Sequence, residues 1–199
     1  MLRPDLCHLT HRVCRLVFLL LAVSMLLAFL MLTSRFVTAG EVWVGVDTGK
    51  HTLSVFDGSK VLHKFENISV GRNGVTPQKA AHDHKTPLGA YHISSINHAS
   101  RFHLFFALDY PTPEQAVTAY QSHRISASEM EAIYQAHRRG EEPSFATSLG
   151  GAIGIHGLGD GDPRIHQNFN WTDGCVALTN EQVDELSAWV HTGTKVVIY

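Results

Sequence analysis

Val42-Trp43-Val44-Gly45-Val46-Asp47-Thr48-Gly49-Lys50-His51-Thr52-Leu53-Ser54-Val55-Phe56-Asp57-Gly58 decides the fold class. Successive side chains of a strand point to opposite faces, so Val42, Val44 and Val46 share one face, and Leu53 and Val55 repeat the pattern. Asp47-Thr48-Gly49-Lys50 and Asp57-Gly58 are turn sequences. Period-two stretches joined by such turns are hairpins of an antiparallel sheet.

Working outward, Val61 to Phe65, Ile68 to Val70, Ala90 to Ser94 and Phe102 to Leu108 read as further short strands. Between them, Gly71 to Gly89 is a loop with two prolines, long enough to suggest a function. After Asp109-Tyr110-Pro111 the apolar period lengthens to that of a helix. Thr112 with Gln115 opens one helix to about His123, and Ser126 with Glu129 opens a second that Gly140 closes. Strand signals return at Ala152 to His156 and Val176 to Leu178. Thr179 with Gln182 caps a last helix through Val190, and Thr194 to Tyr199 ends the chain as a β run. Residues 41–199 are therefore expected to form one mainly β (α+β) domain with a two-helix insertion at 112–140 and a C-terminal helix.

The N-terminus is of another kind. Leu16 to Leu32 is an apolar run of 17 residues with Ser24 as its only polar member, preceded by Arg3, Arg12 and Arg15 against Asp5. That bias keeps residues 1–15 in the cytoplasm and sends the following chain across the membrane. As a helix the run spans about 26 Å, slightly short of the hydrocarbon core and slightly long for a signal peptide. Residues 16–34 are thus read as a transmembrane helix or a signal h-region. Residues 35–40 are a linker, in which Val37-Thr38-Ala39 offers a cleavage site after Ala39 and Arg35 favours retention. The expected place of the domain is the periplasmic or extracytoplasmic face.

Composition narrows the function. The 199 residues are 44% hydrophobic and 17% charged, which excludes disordered and collagenous chains. Beyond Ala39 there are 12 basic residues against 17 acidic, a net charge of −5, so nucleic acid is a poor partner. Cys7 and Cys14 lie ahead of the apolar run, leaving Cys175 as the single exported cysteine. A lone thiol in an oxidising compartment needs a reason, and catalysis is the usual one.

A catalytic thiol needs a base and backbone N–H groups where the oxyanion forms. In Thr172-Asp173-Gly174-Cys175, Gly174 lets a tight turn aim such groups at one point, and His156, at a strand end before Gly157, is the candidate base. His82-Asp83-His84 with His166 reads at first like metal ligands. No second cysteine or helical His-Glu pair supports that reading, so no metal is expected. Trp171 beside the turn suits packing, or stacking on substrate.

His156-Gly157 followed fifteen positions later by Thr172-Asp173-Gly174-Cys175 resembles the signature of the L,D-transpeptidase catalytic domain family (YkuD-like). Val46-Asp47 with Leu53-Ser54-Val55-Phe56 resembles its first hairpin. Ser69-Val70-Gly71, Lys85-Thr86-Pro87-Leu88-Gly89-Ala90-Tyr91, Ile155-His156-Gly157 and Gly193 to Ile198 are similar to its other segments, in order. The resemblance implies a sandwich or barrel of mixed sheets, with Cys175 as nucleophile, His156 as general base and acid, the Gly157 carbonyl orienting the imidazole, and Gly174 in the oxyanion turn. It implies peptidoglycan stem peptides as substrate: the thiolate attacks the carbonyl of a diamino acid, expels the terminal D-alanine and passes the acyl group to an amine or to water.

Two residues depart from the family pattern, in which His often stands at Asp173 and Arg at Ala177. A carboxylate beside the thiol should raise its pKa. Asp173 is expected instead to face the ammonium of the diamino acid. Without the Arg, a substrate carboxylate needs another cation, for which Arg72, Lys85 and Arg164 are candidates; Thr172 and Trp171 complete the expected substrate contacts. The acyl acceptor stays open between another stem, a wall-attached lipoprotein, a D-amino acid and water. Competing readings are a hydrolytic relative (a carboxypeptidase, or an amidase releasing wall-attached protein) and a wall-binding module without turnover. A papain-like peptidase is disfavoured because His precedes Cys here.

Overall fold

A computed structural model describes residues 40–199. The expectations for residues 1–39, including the apolar helix and the cleavage site, lie outside the described residues. No helix among the described residues is long and apolar enough to cross a membrane.

The opening hairpin forms as its alternation requires: β1 (Val42–Asp47) pairs antiparallel with β2 (Thr52–Asp57), Val44 against Val55 and Val46 against Leu53, and all four side chains are buried. On the outer face Trp43 stacks on its cross-strand partner Phe56, centroids 4.2 Å apart. Asp47 Oδ1 accepts from the Lys50 N–H at 2.9 Å and closes the turn. β3 (Lys60–Glu66) adds to β2, and β10 (Lys195–Ile198), from the other end of the chain, adds parallel to β1.

β6 (Gly89–Ser100) pairs with β10 through its first residues and with β7 (His103–Leu108) through the rest. β8 (Gly154–His156) and β9 (Val176–Ala177) complete the mixed order β3-β2-β1-β10-β6-β7-β8-β9. The two-residue strands β4 (Val75–Thr76) and β5 (Thr86–Pro87) form a separate parallel pair inside the Gly71–Gly89 loop.

The main core joins Val44, Leu53, Tyr91, Ile93, Phe106, Ile155, Val176, Leu178, Leu186 and Val196 into one apolar cluster. Full burial of each such side chain contributes about 1.5–3 kcal/mol. Helices α1 (Pro113–Gln121) and α2 (Ala127–Arg138) pack a second, smaller cluster around Ala116, Ala119 and Ile133. α3 (Pro163–Asn168) interrupts the polar loop after β8, and α4 (Asn180–Ser187) follows β9. Capping boxes open α1, α2 and α4 at Thr112, Ser126 and Thr179.

The domain is thus mainly β, with a mixed sheet and few helices. Ile68 to Val70, expected as a strand, is tied to the sheet among the described residues by a bridge from Ser69 to Ala177 rather than by a ladder. The last helix stops at Ser187 rather than Val190.

Candidate active site

β8 and β9 run parallel, with Ile155 opposite Val176 and His156 opposite Ala177. Ile155 and Val176 point into the core, fully buried. The period of two then puts His156 on the other face, together with Cys175, which lies two residues before Ala177. Adjacent parallel strands so place His156, at the end of β8, and Cys175, immediately before β9, at one edge of the sheet.

His156 is 2% exposed. Its ring lies between Phe102 (centroids 4.2 Å) and Phe105 (5.7 Å), with Trp171 edge-on at 5.8 Å. Nδ1 donates to the Gly157 carbonyl at 2.7 Å, which leaves Nε2 as the free lone pair. Burial lowers the imidazole pKa to about 4, against the opposing pull of the Gly157 carbonyl.

The carbonyl that orients His156 is itself held. Asn180 Oδ1 accepts from the N–H groups of Leu158 (2.8 Å) and Gly159 (2.9 Å), and Asn180 Nδ2 donates to the Gly159 carbonyl. A Cβ on Gly157 would meet Asn180 Oδ1 at 2.7 Å and the Phe102 carbonyl at 2.9 Å. Asn180 carried no motif in the sequence beyond its place at a helix start.

The Thr172–Cys175 turn is closed by Thr172, whose hydroxyl donates to the Cys175 carbonyl at 2.7 Å and accepts from the Gly174 N–H at 3.1 Å. Thr172, expected among the substrate contacts, is 3% exposed and serves the turn instead. Gly174 has φ 137°, where side chains are rarely tolerated. Cys175 is half-buried, and its thiol donates to the Ala152 carbonyl at 3.5 Å. Among the described residues it makes no hydrogen bond to His156. Catalytic contacts in empty sites often tighten only when substrate binds.

Loss of solvation pushes the thiol pKa up to about 11; the Gly154 N–H and the Lys79 ammonium pull against it, and Asp173 adds a smaller upward push. The expected sign of Asp173 is right, but burial outweighs it.

Asp173 stands exposed at the rim. Its Oδ1 accepts from Arg72 Nη1 at 2.7 Å and lies 2.9 Å from His84 Nδ1. Arg72 is therefore already engaged by the carboxylate. Lys85 contributes main chain: its N–H donates to Asp83, and its carbonyl faces Gly174. Arg164 pairs with Asp162 on the exposed first turn of α3 and does not line the cleft beside Cys175. Trp171 is half-buried, and its indole N–H donates to His166 Nδ1 at 3.3 Å. It packs His156 rather than standing free. A cleft of about 220 Å³ is lined by Lys79, His82, His84, Phe145, Asp173 and Ala152, and the Ala152 carbonyl is the group that accepts from the Cys175 thiol. His82, Asp83 and His84 do not converge on one point: Asp83 binds Lys79 while His84 faces Asp173.

Among solved structures, the helical cell shape determining protein Pgp2 of Campylobacter jejuni is similar at 20% identity, over 81% of this chain and 48% of that one, with a TM-score of 0.55. Bd1075 of Bdellovibrio bacteriovorus is 18% identical over 83% of this chain and 50% of its own, TM-score 0.49. A mutant L,D-transpeptidase of Enterococcus faecium is 12% identical over 81% and 50%, TM-score 0.45. The chain spans about half the length of these structures. No curated protein matches it. The YkuD family, described as the L,D-transpeptidase catalytic domain, matches residues 41–198, a span that holds the whole β8–β9 site and the hairpin that opens the sheet. The chain belongs to the L,D-transpeptidase catalytic domain family.

Proposed function

We propose that the protein is an exported cell-wall cysteine acyltransferase, an L,D-transpeptidase acting on peptidoglycan stem peptides and held at the membrane or released by cleavage after Ala39. The observation that supports this reading is the placement of His156 at the end of β8 and of Cys175 immediately before the adjacent parallel strand β9, with the imidazole held by Gly157 so that Nε2 is free to act as the base.

As Sγ attacks the carbonyl of the stem's diamino acid, Nε2 takes the thiol proton and the S–C bond forms. The resulting oxyanion sits at the Gly174–Cys175 turn. The tetrahedral intermediate collapses by breaking the peptide bond, His156 returns the proton to the departing D-alanine amine, and a thioester remains on Cys175. An acceptor amine then attacks the thioester, with His156 as base again, and frees the thiol. No cofactor enters the scheme.

Incubating the full chain with purified tetrapeptide muropeptides and reading the products by mass spectrometry tests this. Tripeptide-linked dimers are expected. Tripeptide monomers alone would make the protein the hydrolytic relative, and no conversion with retained binding to sacculi would make it a binding module.

At the rim, where a substrate ammonium has to share the carboxylate with Arg72 and His84, Asp173→Asn is expected to raise KM severalfold. It should cost at most about 1 kcal/mol of stability, because exposed ion pairs contribute little. Steady-state kinetics with a thermal melt checks both. A fall in kcat at unchanged KM would place Asp173 in the chemistry instead.

A further inference from the structure

Lys79 lies in the loop before β5, where a lysine is expected to be solvated, yet it is 5% exposed. Its Nζ bonds Asp83 Oδ1 at 2.6 Å. It also sits so close to the catalytic turn that a Cβ on Gly174 would approach it to 3.1 Å. The loop is built around this placement. Asp83 accepts from the N–H groups of Ala80 (2.8 Å) and Lys85 (2.9 Å), so its carboxylate is shared with two amides. Arg124 Nη1 donates to the Lys79 carbonyl at 3.1 Å and pins the main chain from the helical insertion.

We propose that Lys79 is a positioning residue for the nucleophile: its buried ammonium, held under the Gly174–Cys175 turn by Asp83, makes that turn electropositive and favours negative charge on Sγ. The inference rests on Cys175 being the nucleophile. An ammonium is costly to bury, and a fold that needed only to fill this space would use an apolar side chain. A cation beside a thiol is a recognised means of favouring thiolate.

Other charges frame the same point. Asp173, Arg72 and His84 cluster at the rim. His156 ends the neighbouring strand β8, and Tyr110, Glu114 and Arg124 line a cavity together with Lys79. Of these, Asp173 opposes the effect of Lys79 on the thiol.

The test is the pH dependence of Cys175 alkylation in the full chain, followed by mass spectrometry of the Cys175 peptide. Thiolate displaces iodide from iodoacetamide: the S–C bond forms, the C–I bond breaks and iodide leaves. Lys79→Gln keeps a donor for Asp83 but removes the charge, and its rate is expected to fall about tenfold at every pH below the wild-type midpoint. Lys79→Arg should restore most of the rate. If Lys79 only orders the loop, its loss hydrates the thiol and the rate rises; a rise or no change in a folded Lys79→Gln overturns the proposal.

Should circular dichroism show that Lys79→Gln does not fold, Asp83→Asn carries the test. It leaves the ammonium without its counter-charge, so alkylation is expected to quicken severalfold, and an unchanged or slower rate overturns the proposal. Alkylation needs no turnover. Failure of muropeptide conversion with a shifted alkylation profile would sink the transpeptidase reading alone.

Discussion

Cys175→Ser is expected to leave no thioester and no measurable conversion of tetrapeptide stems, and His156→Gln is expected to lower turnover by about a hundredfold to ten-thousandfold, the usual worth of a positioned general base. Both follow from one feature, an imidazole whose Nδ1 is committed to Gly157 and whose Nε2 is the proton acceptor. Burial keeps His156 neutral down to about 4 and Cys175 protonated up to about 11. Across the neutral range the resting pair is therefore thiol and neutral imidazole, and proton transfer accompanies attack.

A pH profile separates this from a preformed thiolate. Release of D-alanine in a single turnover, which needs no acceptor amine, should be flat between about 4 and about 11, whereas alkylation by a small reagent, which uses only thiolate, should climb about tenfold per pH unit toward the thiol midpoint. D-alanine release that climbed in step with alkylation would overturn the role of His156. Stability follows the same shifts. The imidazole pKa is lowered from 6.5, so its contribution is complete above 6.5 and lost as pH falls through about 4. The thiol pKa is raised from 9.0, so its contribution is complete below 9.0 and lost as pH rises through about 11. The fold is thus expected to be most stable between 6.5 and 9.0.

What the sequence revealed divides along physical lines. The β1–β2 hairpin, the three capping boxes and the strand ends at His156 and Cys175 were legible because each rests on local periodicity or on a side chain bonding a backbone a few residues away. Helix α3 escaped because six residues are too few for an apolar period, although Asp162 caps it and Pro163 opens it. The continuation of β6 past Ser94 to Ser100 escaped because register shifts after Ile93 and Asn97 break its alternation.

At the site, the partners of Asp173 escaped. Arg72 and His84 reach it from a loop about ninety to a hundred positions earlier in the chain, and no spacing rule connects them. Lys79 escaped for the same reason, since burial of a loop lysine depends on a carboxylate and a turn brought together only by the fold.

Gly174→Ala is expected to cost turnover about a hundredfold to a thousandfold, the worth of one oxyanion donor. At φ 137° an added Cβ is strained in itself, and it would meet the Lys85 carbonyl at 2.8 Å and Ile153 Cδ1 at 3.0 Å. The first of these is backbone and cannot swing aside, so the turn must move, and with it the peptide carrying the Cys175 N–H. Gly58 supplies the comparison: it also has positive φ, +59°, but none of the described residues lies within 4 Å of its Cβ position, on a hairpin turn between β2 and β3. Gly58→Ala should therefore lose about 1 kcal/mol of stability at full activity, whereas Gly174→Ala should lose about 1–3 kcal/mol and most of its turnover. Thermal melts and muropeptide kinetics on the two variants decide it. Equal effects on turnover would mean that strain anywhere in the sheet disables the enzyme, and full activity in Gly174→Ala would remove the turn from the oxyanion site.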